Sequence, residues 1–197
     1  NNINKLILNK YINKFKDVKA LVVGENIIDK YIFTNPLGMS QESSLVVHKP
    51  VQNKIFLGGA SIIAMHLSSV IKKIDYLTII EKKDKYSKFI SSTLKKNKIN
   101  SFLIEEETYK TVIKTRYLSE NKNIFRTNEF LNFNINKSLE EKILNKFKFL
   151  VKNKDLLIIS DFNYGMLPKE IVLKMIKISK KLNKKIIIVG DSQTSSQ

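Results

Sequence analysis

The stretch 18-VKALVVGENIIDKY-31 decides the fold. It opens as a short apolar run, rich in Val, and closes on Gly24. A run of that length without alternation reads as a strand buried on both faces. Three similar runs follow at 76-YLTIIE-81, 156-LLIISD-161 and 185-KIIIVGD-191, with a weaker one at 101-SFLIE-105.

Helical patterns alternate with these strands. Residues 3 to 16 place Ile3, Ile7, Tyr11 and Phe15 four apart, which predicts an amphipathic helix or linker over 1–17. Further helices are predicted over about 60–73 and 85–97, the latter capped by Asp84. Another starts at Ser138, which forms a capping box with Glu141, and another at Pro168. Strands alternating with helices imply a mostly parallel sheet covered on both sides: an α/β/α sandwich. Two segments break the rhythm. Residues 30–57 and 111–127 read as β-hairpins, the second turning at 120-ENKN-123, and together they predict a small antiparallel β lid over one edge of the sheet.

Composition narrows the function classes. The chain has 197 residues, of which 43% are hydrophobic, enough for one sizeable core. It has no cysteine, so disulfides and thiolate metal sites are excluded. No apolar run approaches the ~20 residues of a membrane span, no membrane partner is expected, and the cytoplasm is the expected location. The formal charge is +17, but only Arg116 and Arg126 among the 35 basic residues are arginine. Lysines occupy nearly every polar face, so the charge reads as solvated surface rather than a specific nucleic-acid interface. Neither His48 nor His66 belongs to a catalytic constellation, and no HExxH, GxSxG or Walker-type pattern occurs.

In an open parallel sheet, ligands bind beyond the carboxyl ends of the strands. Those ends carry 24-GENIID-29, 160-SDFNYG-165 and 190-GDSQTSSQ-197, so Asp29, Asp161 and Asp191 are expected to face one crevice. Carboxylates there bind sugar hydroxyls, hold a metal ion or act as bases; each alone is also a common turn or cap residue. In 57-LGGASIIAMHLSSV-70 two glycines meet a helix start, where free amides and bare backbone suit hydroxyl or phosphate oxygens, or simply a tight turn. In 113-IKTR-116, Lys114 and Arg116 share one strand face and suit an anionic group, or form a solvated face.

The order of strand–GENIID, flap, GGAS helix, KTR strand, SDFNYG and final strand resembles the N-terminal part of ribokinase-like (PfkB-type) carbohydrate kinases. The likeness covers about residues 18–197. Within that family 24-GENIIDKY-31 and 36-PLGMSQES-43 are similar to the heptose-phosphate kinases of ADP-heptose synthesis and to sugar kinases fused to a nucleotidyltransferase. The resemblance implies phosphoryl transfer from ATP, with Mg²⁺, to a sugar or sugar phosphate. It implies sugar-site roles for Asp29, Gly58, Gly59, Lys114, Arg116 and Asp161, and nucleotide-side roles for Asp191 and Gln193. It also implies a lid that serves as a homodimer contact.

Departures qualify the likeness. Ile62 stands where these kinases place a sugar-binding Asn, and Tyr164 where heptose kinases often place Lys. The family's G-A-G-D motif, which carries the catalytic base, is absent from the 197 residues. The expectation is therefore an incomplete chain: the sugar-binding half of the domain, with its C-terminal part missing, the base beyond Gln197, and no activity alone. The alternative is a non-catalytic member of the same fold that binds a sugar or nucleotide.

Overall fold

The structure is a computed structural model that describes residues 4–193; Ile3 and the polar run 194–197 lie outside the described residues. The elements in chain order are α1 (Lys5–Phe15), β1 (Lys19–Gly24), β2 (Asn26–Met39), β3 (Val46–Gly59), α2 (Ala60–Leu67), β4 (Lys73–Glu81) and α3 (Ser87–Lys96). They continue with β5 (Ile99–Glu106), β6 (Val112–Ser119), β7 (Lys122–Glu129), α4 (Lys137–Val151), β8 (Leu156–Asp161), α5 (Lys169–Leu182) and β9 (Ile187–Ser192).

The central sheet has the order β5-β4-β1-β8-β9, and every pairing in it is parallel. The inner strands β1, β4 and β8 are apolar on both faces because both faces are covered. The run at 185–191 differs from its buried reading: β9 lies at the edge of the described sheet with Ile187 and Val189 exposed, because only β8 pairs with it. Leu21 and Val23 of β1 join Leu77, Ile79, Leu157 and Ile159 against α4 and α5. Ala20 and Val22, one residue out of phase, join Tyr76, Ile80 and Ile158 against α2 and α3. Two cores on opposite faces make three layers.

Strand order fixes where a ligand crevice opens. From β1 the chain runs outward through β4 and β5, with α2 and α3 on one face. From β8 it runs the other way to β9, with α5 on the opposite face. β1 and β8 are neighbours whose helices leave to opposite sides, so the topological switch point lies at their carboxyl ends.

The two hairpins form a second sheet, ordered β3-β2-β6-β7. β2 pairs antiparallel with β3, and β6 with β7, as the hairpin reading predicts. The junction between hairpins is parallel, Asp29 lying in register with Lys114, so the lid is mixed rather than wholly antiparallel. Residues so far apart in sequence leave no local signal of their pairing direction. The β6–β7 turn is made by Glu120 and Asn121, both with positive φ, the geometry that twists two strands together in a two-residue hairpin.

Several local expectations shift. α1 forms, but its apolar row Ile7, Tyr11 and Phe15 is about half exposed. α2 stops at Leu67 rather than near residue 73, because Ser68 and Ser69 turn their hydroxyls onto the carbonyls of Met65 and His66. Asp84 does not cap α3. Its carboxylate accepts from the Tyr86 amide (2.8 Å) and the Thr111 hydroxyl, tying that turn to the loop before β6. α4 is capped by Asn136, whose side chain accepts from the Leu139 amide at 2.9 Å, so Ser138 and Glu141 fall inside the first turn. Pro168 precedes α5 as its cap residue.

Candidate functional site

The lid brings Asp29, Gly58 and Arg116 together. Asp29 lies on β2, between β3 and β6, and its Oδ1 accepts from the Arg116 guanidinium at 2.5 Å. That carboxylate raises the Arg116 pKa, with partial burial opposing. The guanidinium also lies 5.2 Å from the Tyr31 ring, so it is pinned between an anion and an aromatic face. Only about a quarter of either charged side chain is exposed.

The glycine pair serves this arrangement in a way that sequence did not reveal. A Cβ on Gly58 would lie 2.0 Å from Asp29 Oδ2, so the space glycine leaves is taken by the Asp29 carboxylate. Gly59 has φ +61, and a Cβ there would meet the Glu25 carbonyl at 2.5 Å. Its left-handed turn delivers the chain into α2, where the Ala60 amide donates to that carbonyl at 2.9 Å. The helix mouth is thus partly satisfied by the protein itself rather than standing wholly open.

Lys114 lies in register with Asp29, and its ammonium sits 5.6 Å from the Phe162 ring and 5.3 Å from the Tyr164 ring. Both rings belong to the loop after β8, so this cation links lid to central sheet. Phe130, just beyond β7, packs edge-on to Tyr164 at 5.2 Å.

Asp161 ends β8. Its Oδ1 accepts from the Asn163 amide at 2.8 Å, folding the loop into an Asx turn, and its Oδ2 accepts from the Ser192 hydroxyl at 3.4 Å. Asp191, one residue before the end of β9, lies in register with Ser160 and accepts its hydroxyl at 3.3 Å. Gln193 donates its amide to the Asp161 carbonyl at 2.8 Å. Asp161 and Asp191 line one cavity of about 770 Å³ with Ile159, Asn163, Lys169 and Gly190. Asp29 is not in that lining; it belongs to the lid side, so the three aspartates divide between lid and sheet. Among the described residues no group of three or more His, Asp or Glu could hold a metal ion.

Two residues at this end escaped the sequence reading. Glu25 is fully buried between β1 and β8, and burial beside Asp161 raises its carboxyl above the usual range although the Phe162 and Met166 amides oppose this. Its only sequence signal is a carboxylate directly after the strand-ending glycine. Arg126 lies opposite Arg116 on the lid. Its signal is rarity, being one of two arginines in the chain. Like charges directly opposite across a strand pair repel unless an anion lies between or near them. The two histidines stay outside the site: His48 contacts the Thr34 hydroxyl within the lid (3.0 Å), and His66 is exposed on α2.

Comparison with known proteins gives the family and the fold. Residues 18–196 match the family described as pfkB family carbohydrate kinase. The chain belongs to the PfkB carbohydrate kinase family. Among curated relatives, the bifunctional protein HldE of Haemophilus influenzae is 32% identical over 179 residues, 91% of this chain and 37% of that protein. HldE of Helicobacter pylori is 29% identical over 169 residues, 86% of this chain and 36% of its own. This PfkB chain therefore spans little more than a third of the relatives it matches. Among solved structures, phosphofructokinase-2 from Escherichia coli in complex with fructose-6-phosphate superposes with a TM-score of 0.66 at 11% identity, covering 91% of this chain and 56% of that one. Ribokinase from Giardia lamblia gives a TM-score of 0.66 at 13% identity, covering 90% and 52%. These likenesses establish the ribokinase-like fold of this PfkB chain.

Proposed function

We propose that this chain supplies the acceptor-sugar side of a PfkB kinase that transfers phosphate from ATP to a sugar phosphate, with a heptose phosphate as the favoured acceptor. The observation that carries the reading is the Asp29–Arg116 pair seated against Gly58 under the lid. A carboxylate held in place by a guanidinium is positioned to accept sugar hydroxyls, and preorganised acceptors of this kind are how such enzymes orient an alcohol for phosphoryl transfer.

In this reading Asp29, Gly58 and Gly59 line the sugar, Lys114 and Arg116 meet its anionic end, and Arg126 adds the cation that Asp29 does not neutralise. Asp161 lies between sugar and nucleotide. Asp191 and Gln193 face the nucleotide, and Asp161 and Asp191 are the carboxylates that would face a Mg²⁺ ion brought with it. ATP supplies the phosphoryl group and Mg²⁺ its charge neutralisation. The heptose assignment rests on the GENIIDKY and PLGMS resemblance and on the HldE relatives. The outer β2–β3 hairpin exposes Leu37, Met39, Leu45 and Val46, which supports the lid as a homodimer contact.

The test is turnover by the full-length gene product. It is offered ATP, Mg²⁺ and a panel of hexose and heptose phosphates, and ADP release is followed. A heptose phosphate is expected to give the highest kcat/KM. Sugar binding by calorimetry without ADP release from any panel member would instead favour the non-catalytic reading, which Ile62 and Tyr164 motivate.

A further inference from the structure

Glu25 follows the last residue of β1, at the switch point of the sheet. Gly24 lies so close to β8 that a Cβ there would meet the Ser160 carbonyl at 2.1 Å, so the two strand ends are held tightly together. From this anchor the Glu25 side chain, fully buried, reaches into the loop after β8. Its Oε2 accepts from the Phe162 amide at 2.9 Å; its Oε1 accepts from the Tyr164 amide at 3.4 Å and the Met166 amide at 3.3 Å.

Alternate amides point the same way because the residues between them are left-handed: Asn163 has φ 62 and Gly165 φ 92. Such an alternation forms a backbone concavity suited to an anion. Here the anion is part of the protein. Among the described residues no cation forms an ion pair with Glu25. The loop amides offset part of the cost of burying its charge, and an apolar replacement would take this partner from three donors, of which the Met166 amide is buried.

The loop pinned this way buries Met166 in the core and leaves Asp161, Phe162 and Tyr164 partly exposed. Asp161 opens it, and Phe162 and Tyr164 hold the Lys114 ammonium between lid and sheet. We infer that Glu25 is a positioning residue of the acceptor site: its carboxylate fixes the 161–166 loop so that Asp161 and the aromatic pair, and through them Lys114, are set in place. The geometric half of this inference stands by itself, whereas its consequence for sugar binding rests on the function proposed above.

Two spectroscopic measurements and one binding measurement test it. In ¹⁵N-labelled protein, the Phe162, Tyr164 and Met166 amide signals should titrate together with one pKa, that of Glu25. Independent or absent titration would overturn the clasp without any variant. In protein whose lysines carry ¹³C-methyl groups, the Lys114 signal, assigned by Lys114→Arg, should be shifted upfield by the two rings. Glu25→Gln should abolish that shift and the exchange protection of the three amides, while amides of β1 and β4 stay protected. Retention of both in a folded Glu25→Gln protein overturns the role.

Calorimetry with the heptose phosphate of the turnover panel on the full-length protein should show about a tenfold weaker affinity in Glu25→Gln. Unchanged affinity despite released loop amides would reduce Glu25 to a purely structural residue. Failure of the parent protein to bind that heptose phosphate would strike the proposed substrate and leave the spectroscopic result standing.

Discussion

Gly58 and Asp29 share one volume: a Cβ at position 58 would fall 2.0 Å from Asp29 Oδ2. The colliding atom is the end of a side chain rather than backbone, so the protein can accommodate an alanine by turning the carboxylate away. Doing so breaks the bond from Arg116. Gly58→Ala should therefore leave thermal unfolding nearly unchanged and weaken sugar-phosphate binding at least tenfold, about 1.4 kcal/mol, by calorimetry. Native affinity in that variant would mean that the Asp29 seat is irrelevant to the ligand.

Gly165 presents the opposite case. Its φ is +92, and a Cβ would lie 2.1 Å from the Phe133 carbonyl, which is backbone and cannot swing aside. Left-handed strain and overpacking add, so Gly165→Ala should cost roughly 3 kcal/mol. For a chain of this size that lowers Tm by roughly 6–12 °C in calorimetric scans. A shift under about 2 °C would show that the loop has another conformation available.

The start of α4 offers a stability test between two neighbouring candidates. Asn136 accepts the Leu139 amide, whereas Ser138 lies within the first turn. Asn136→Ala should destabilise by about 1 kcal/mol and Ser138→Ala by less than about 0.5 kcal/mol, measured by urea denaturation. The reverse order would return the cap to Ser138.

Arg126 faces Arg116 across the β6–β7 pair, and Arg116 is already paired with Asp29. If the pair of arginines receives a phosphate, Arg126→Ala should weaken a sugar phosphate about tenfold and leave the unphosphorylated sugar untouched. Equal losses for both ligands would place the phosphate elsewhere.

Glu25 gives a pH dependence whose sign can be worked out. Burial, with Asp161 adding to it, raises its carboxyl in the fold above the ordinary 4.5, although the loop amides pull the other way. Between 4.5 and the raised value the folded protein binds more protons than the unfolded chain, so this group's contribution to stability falls as pH rises through that window. Glu25→Gln lacks the effect. Denaturation at stepped pH should therefore show the variant gaining on the parent from pH 4.5 upward; a constant difference would indicate an unshifted carboxyl.

Much of the architecture was legible in the chain. The apolar runs at 18–24, 76–81 and 156–161 became β1, β4 and β8, and both hairpins formed, because period and turn chemistry act over a few residues. The candidate site was legible only as a set of residue types at strand ends. Its contacts were not: Arg116 meets Asp29 across 87 positions, and Glu25 meets Phe162 across 137.

By itself, then, the sequence determined the alternation of strands and helices, the lid, and the polar residues waiting at the strand ends, since each is set by neighbours in the chain. Only the tertiary structure decided that the hairpins join in parallel, that Gly58 makes room for a carboxylate, and that a buried Glu25 holds the β8 loop. Those outcomes depend on which distant backbone groups are left needing a partner once the sheet has closed, and no local pattern records that need.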